Sequence, residues 1–140
     1  MKLRWMLIRD IPEIFRIENQ VFSHSWSKED FHSCLKQRNI VGMVADMPDG
    51  NIGSYMVYGL YPKHIEVVNF VVNPSYQRHG IGTIMMNELK DRLTPKRKSI
   101  NLYVSEKNLV MHIFCKNNGL KAARVKKNFN EDAYFFVYKL

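Results

Sequence analysis

Between His64 and Thr83 the sequence changes period once, and that change fixes the middle of any fold the chain can adopt. His64 to Asn73 is apolar and β-branched with little alternation, so it reads as a central strand covered by helices on both faces. Pro74 ends the run, and Ile81, Met85 and Leu89 then recur at helical spacing. The connection is Gln77-Arg78-His79-Gly80-Ile81-Gly82-Thr83. A helix start leaves its first backbone N–H groups unpaired and carries partial positive charge, which makes it a ready anion site. Two glycines let a bulky polyanion approach the backbone, and Gln77, Arg78 and His79 can add donors. By itself a Gly-x-Gly after a strand is weak evidence of a phosphate site, and the other reading is an ordinary strand-to-helix turn.

The remaining elements follow from period and punctuation. Lys2 to Ile8 alternates as a first strand, and Asp10 with Glu13 has the spacing of a capping box. Ile11, Ile14, Phe15, Ile17 and Val21 then form a helical face that should lie on a sheet. Ser27 with Asp30 repeats the capping pattern and predicts a second helix to about Gln37, with Trp26 either stapling that helix to the core or walling a groove. Ile40 to Met47 and Ile52 to Leu60 are strands joined through Asp49-Gly50, a hairpin signal. A helix runs from Gly82 to about Leu93, and Thr94 to Lys98 is a charged loop. Ile100 to Val104 is a strand, Asn108 to Asn117 a helix that stops at Gly119, and Lys121 to Phe129 with Ala133 to Lys139 a closing hairpin. The order β-α-α-β-β-β-α-β-α-β-β predicts a mixed α/β sheet of about seven strands with four helices, in one domain over residues 1–140.

The turn also carries a resemblance. Gln77-Arg78-His79-Gly80-Ile81-Gly82 matches the Gln/Arg-x-x-Gly-x-Gly/Ala signature of the GNAT superfamily of acetyl-CoA-dependent N-acetyltransferases, preceded by Val71-Val72-Asn73-Pro74. Ile17-Glu18, Phe22 and Ser25-Trp26-Ser27, together with Leu102-Tyr103-Val104, Asn108, Phe114-Cys115 and Gly119-Leu120, resemble its ribosomal-protein-alanine N-acetyltransferase (RimI-type) branch. The resemblance implies a mixed, mostly antiparallel sheet with acetyl-CoA in a gap between the central strand and the strand after the phosphate turn. It further implies that backbone groups of Phe70, Val71 and Val72 hold the pantetheine arm, and that Gln77, Arg78, His79, Gly80, Ile81, Gly82 and Thr83 hold the phosphates. Asn108 would bind the arm with its amide, and it fits equally as a helix N-cap.

Acetyl transfer to an amine needs a neutral nitrogen, a polarised thioester carbonyl and a proton for the leaving thiolate. RimI-type enzymes use a glutamate and a tyrosine where this chain has Tyr103 and Cys115. Glu66, a carboxylate inside the central strand, is the replacement base the resemblance offers, acting through water; a structural or exposed carboxylate is the other reading. Tyr103 would hold that water or the substrate amine, or fill core. Cys115, a thiol of ordinary pKa about 8.5, would protonate departing CoA, or pack. A short Asn128-Phe129-Asn130 connection before Glu131-Asp132-Ala133 abbreviates a loop that shapes the peptide groove in RimI-type proteins.

Charge and cysteine content bound the rest. Residues 1–60 hold seven Lys/Arg and seven Asp/Glu, whereas residues 61–140 hold fourteen and six, so the net charge of +8 lies wholly in the half with the phosphate turn. That placement suits CoA, and leaves non-specific contact with RNA or a ribosomal surface as a secondary reading. Two separated cysteines, Cys34 and Cys115, give neither a disulfide pattern nor a metal site. With no apolar leader and no stretch near the roughly 20 residues of a membrane helix, a cytoplasmic protein without a membrane partner is expected. The acceptor expected is a protein or peptide N-terminal α-amine, including that of a ribosomal protein. The alternatives are a small amine, a lysine, or a degenerate acyl-CoA-binding module.

Overall fold

The structure is a computed structural model and describes residues 1–77, 79–128 and 130–140. Among the described residues, seven strands form one sheet: β1 (Lys2–Trp5), β2 (Ile40–Asp46), β3 (Ile52–Leu60), β4 (His64–Val72), β5 (Ser99–Ser105), β6 (Lys121–Lys126) and β7 (Ala133–Lys139). Their order is β1-β2-β3-β4-β5-β7-β6, antiparallel throughout except for the β4–β5 pair. The described residues also form four α-helices, α1 (Ile11–Val21), α2 (Lys28–Leu35), α3 (Ile81–Lys90) and α4 (Leu109–Asn117). Element order and the mostly antiparallel sheet are those expected from the sequence.

The helices divide into two layers because their apolar faces do. Ile11, Ile14 and Ile17 of α1 and Phe31 of α2 pack on Val44, Tyr55, Val57 and Val71, on one side of the sheet. Ile81, Met85, Met86 and Leu89 of α3, with Cys115 of α4, pack on Met56, Tyr58, Ile65, Phe70, Ile100, Leu102 and Phe136 on the other. Each such side chain, fully buried, contributes about 1.5–3 kcal/mol. Lys90 closes the second layer: its Nζ donates to the Asn118 carbonyl at 2.6 Å and sits 4.3 Å from the Tyr138 ring centroid.

Local signals were realised unequally. Ser27 and Asp30 make the expected capping box, with Asp30 N donating to Ser27 Oγ at 3.1 Å and Ser27 N to Asp30 Oδ2 at 2.9 Å. Trp26 staples that helix, its ring centroid 5.1 Å from that of Phe31. The box expected at Asp10 and Glu13 does not form. Asp10 instead takes two bonds from the Arg4 guanidinium, each 2.8 Å, and one from Leu7 N at 2.7 Å, while Glu13 accepts from Ile52 N at 2.8 Å. A nearby arginine out-competed the helix end for the carboxylate. The second helix also stops two residues short of Gln37, at Leu35, and the sixth strand ends at Lys126; Phe129 lies outside the described residues.

Candidate active site

The site begins as a failure of strand pairing. The parallel ladder between β4 and β5 covers only His64↔Ser99, Ile65↔Ile100 and Glu66↔Asn101. Beyond Glu66 the two strands part, and among the described residues no strand lies beside the β5-facing edge of β4 over residues 67–72. A β-bulge opposite Val57 and Tyr58 bends β4 at the same place. The opening leads to a cleft of about 660 Å³.

Three elements converge on that cleft. Phe70, Val71 and Val72 come from β4, Gln77, Gly80, Ile81, Gly82 and Thr83 from the turn into α3, and Asn108 from the start of α4. Thus nine of the residues expected to hold acetyl-CoA line one cavity. His79 does not line it: the ring is exposed and stands edge-on to Tyr76, 6.4 Å between centroids. Arg78 lies outside the described residues. Phe22, Tyr76, Val110, Met111 and Phe114 complete the wall and were not expected there. Val21, expected on the sheet face of α1, is 40% exposed and lines the cleft instead.

The α3 N-terminus is the polar end of the cleft. Gly80, its N-cap, has φ +74°, a left-handed conformation suited to glycine, and supplies no side-chain cap. Ile84 N is the first to bond back, to the Gly80 carbonyl at 3.1 Å, so the amides of Ile81, Gly82 and Thr83 have no acceptor of their own helix. Gly82 lines the cleft and has a packing role as well. A Cβ there would stand 2.9 Å from Phe114 Cε1 and 3.3 Å from Val72 Cγ2, so the missing side chain lets α3 approach α4 and β4. Asn108 serves as the N-cap of α4, its Oδ1 accepting from Met111 N at 3.2 Å, and the residue also lines the cleft. These features fit a diphosphate at the helix start and an amide-bearing chain along β4.

The other three candidates, Glu66, Tyr103 and Cys115, do not line the cleft. Cross-strand register places Glu66 beside Asn101, and two residues on, Tyr103 beside Phe135 and Phe135 beside Arg124, all on the α1–α2 side of the sheet. Glu66 stands at the last β4–β5 pair, one-third exposed, its Oε1 4.0 Å from His64 Nε2. Tyr103 is 44% exposed and packs on Phe135 at 4.9 Å between centroids. Asn101 Oδ1 is buried with no hydrogen-bond partner among the described residues. Cys115 belongs elsewhere. It points into the α3–α4 core with no exposed surface, and burial pushes its thiol up to about 12. The expected role as proton donor is therefore not supported by its position: a thiol walled by core side chains reaches neither the cleft nor solvent.

Glu18, part of the resemblance, has a structural role that the sequence did not disclose. Its carboxylate, 1% exposed, accepts from the Tyr55 hydroxyl and from Asn69 Nδ2 (2.9 Å) on the sheet, and from Trp26 N (2.8 Å) in the α1–α2 loop. Burial, then the bond to Glu18, drives the Tyr55 hydroxyl far above its ordinary pKa. The available signal was a glutamate on the buried face of α1, beside Ile14 and Ile17. Such a group must be paired, and here the pairing clamps the loop above β4.

Comparison with known proteins decides the family. Residues 3–120 match the acetyltransferase (GNAT) family. The chain belongs to that family. It is 22% identical over 121 residues to the ribosomal protein bS18-alanine N-acetyltransferase of Escherichia coli K12, covering 86% of this chain and 80% of that protein. The crystal structure of the Escherichia coli ribosomal-protein-S18-alanine N-acetyltransferase superposes with TM-score 0.87 at 20% identity, over 99% of this chain and 92% of that one. Arabidopsis thaliana NAA60 in complex with acetyl-CoA gives TM-score 0.84 at 18% identity, over 99% of both chains. The GNAT fold expected from the glycine turn is therefore the fold of this protein.

Proposed function

We propose that this GNAT protein transfers the acetyl group of acetyl-CoA directly to the α-amine of a protein or peptide N-terminus in the cytoplasm. The observation that carries the reading is the parting of β4 and β5 immediately after Glu66, beside a cleft that runs along β4 to the uncapped start of α3. Amides of Ile81, Gly82 and Thr83 hold the diphosphate, with Gln77 and Arg78 as side-chain donors. Backbone groups of Phe70, Val71 and Val72 and the Asn108 amide align the pantetheine arm, which brings the thioester to the apex. The relatives named as N-terminal acetyltransferases support the choice of acceptor.

At the apex the amine nitrogen forms a bond to the thioester carbonyl carbon, and the carbon–sulfur bond breaks. The amine proton passes through water to Glu66, and CoA leaves as a thiolate that takes its proton from solvent. A leaving thiol of pKa about 8.5 needs no dedicated acid near neutral pH, which accommodates a buried Cys115. The amine is equally undemanding. An α-amine of pKa about 7.7–8.0 is roughly a quarter neutral at pH 7.4, against about one in a thousand for a lysine. Tyr103, its ring packed on Phe135 and its hydroxyl toward Arg124, lines the path of the peptide beyond Glu66.

Thiol release measured with acetyl-CoA and a panel of peptides, lysine-bearing peptides and polyamines tests this. Peptide α-amines should be turned over, with kcat/KM rising with pH and levelling above the α-amine pKa. Glu66→Gln should lower kcat about tenfold or more and leave acetyl-CoA affinity intact. Unchanged kcat would remove Glu66 from the reaction. A rise in Tm with acetyl-CoA but no thiol release with any amine would favour an acyl-CoA-binding module, the reading that Tyr103 and Cys115 motivate.

A further inference from the structure

The acceptor side of the opening is a cationic and aromatic platform built by register. Row by row from the apex, β5, β7 and β6 align Asn101–Val137–Lys121, Tyr103–Phe135–Arg124 and Ser105–Ala133–Lys126. Every residue of β6 is exposed. The Arg124 guanidinium lies 4.0 Å from the Phe135 centroid and reaches back to Tyr103, with Nη2 3.4 Å from Oη. Lys126 Nζ is 5.6 Å from the Tyr103 centroid.

The acids around this platform are spent elsewhere. Asp132 pairs with Lys127 at 3.0 Å and Glu131 with Lys107 at 3.9 Å, while neither Arg124 nor Lys126 has a carboxylate partner among the described residues. Stacking on aromatic rings holds the two cations in place without neutralising them. Glu66, at the apex, is of the opposite sign. A ligand crossing the platform therefore meets Glu66 at the apex, with Lys121 at the far end of the first row, and Arg124 and Lys126 afterwards.

We infer that the preferred acceptor carries an acidic side chain at its second or third residue, read by Arg124 and Lys126. The inference rests on N-terminal transfer as proposed above. Spacing sets the position: the Tyr103 row lies about 7 Å beyond the Asn101 row along the strand, and an extended peptide advances about 3.3–3.6 Å per residue. With its α-amine beside Glu66, the side chain two residues on reaches the Tyr103 ring edge where the guanidinium stands. Charge-assisted bonds from arginine suit a carboxylate there, whereas a lysine or arginine would face two like charges.

The test compares otherwise identical peptides beginning Ala-Asp-Asp, Ala-Asn-Asn and Ala-Lys-Lys, by thiol release at low salt, with wild type and with Arg124→Glu/Lys126→Glu. Wild type should favour the acidic over the basic peptide at least tenfold in kcat/KM, a margin that shrinks as salt screens it. The double variant should invert the order while acetyl-CoA still raises Tm as in wild type. Equal use of the three peptides, or a basic preference, would overturn the inference and leave N-terminal transfer standing. An acidic preference that survives in the double variant would take the role from Arg124 and Lys126. Absence of thiol release with all three peptides, with acetyl-CoA still bound, would overturn the transfer reading and this inference with it.

Discussion

Replacing Glu18 by glutamine changes one oxygen to an NH2 group and leaves shape almost untouched, so its effect isolates the charge and the hydrogen bonds. The carboxylate meets only donors: the Tyr55 hydroxyl and Asn69 Nδ2 at one oxygen, Trp26 N at the other. An amide has one acceptor oxygen for these two places. If its NH2 faces Trp26, a backbone donor that cannot turn away, that bond is lost and two donors oppose each other. If it faces Tyr55 and Asn69, both must reverse their roles inside a buried site. Bonds to a charged group contribute about 1.5–3 kcal/mol each, and a stranded buried donor costs about 1–3 kcal/mol. Relief of the buried charge offsets part of this. A net loss of about 3 kcal/mol is expected, which for a chain of this length lowers Tm by about 10 °C. Denaturation monitored by circular dichroism would read it. Because Trp26 belongs to the loop over β4, the KM for the peptide should rise while the acetyl-CoA-induced increase in Tm persists. Unaltered stability together with unaltered KM would refute the clamp.

Other substitutions probe the cosubstrate side and the core. Gly82→Trp places an indole where even a Cβ would stand 2.9 Å from Phe114 Cε1, so acetyl-CoA should no longer raise Tm; undiminished binding would move the cosubstrate out of this cleft. Cys115, whose folded pKa is raised by burial to about 12, adds stability that is complete below its ordinary pKa and is lost as pH climbs toward 12. Cys115→Ala should therefore cost about 1 kcal/mol at pH 7 through lost packing, yet lose less stability than wild type between pH 9 and 12. Parallel declines for the two proteins would place the thiol in contact with water.

What the sequence revealed and what it hid divide along a physical line. The 64–83 stretch disclosed a strand, a turn and a helix because their apolar periods and the Pro74, Gly80 and Gly82 positions are local properties, and the cleft assembled around them as expected. Tertiary competition was not legible. Asp10 and Glu13 have the spacing of a capping box, but Arg4 on β1 and Ile52 on β3 claimed them. Cys115 occupies a family position for a catalytic side chain, and only the packing of α4 on Ile100 and Phe136 reveals that it faces inward. Phe22 and Phe114 reach the cleft from elements far apart in the chain, a meeting that no local pattern announces. Arg124 and Lys126 read as part of a general basic excess until register set them beside Tyr103.

Because the socket between β4 and β5 is made by main-chain divergence after three paired residues, it asks little of any side chain in particular. Substituting a proton-handling group leaves the docking geometry standing. The fold can thus keep the same acyl donor while the chemistry at the apex, and the kind of amine admitted from the far side, are exchanged like fittings on a fixed mount.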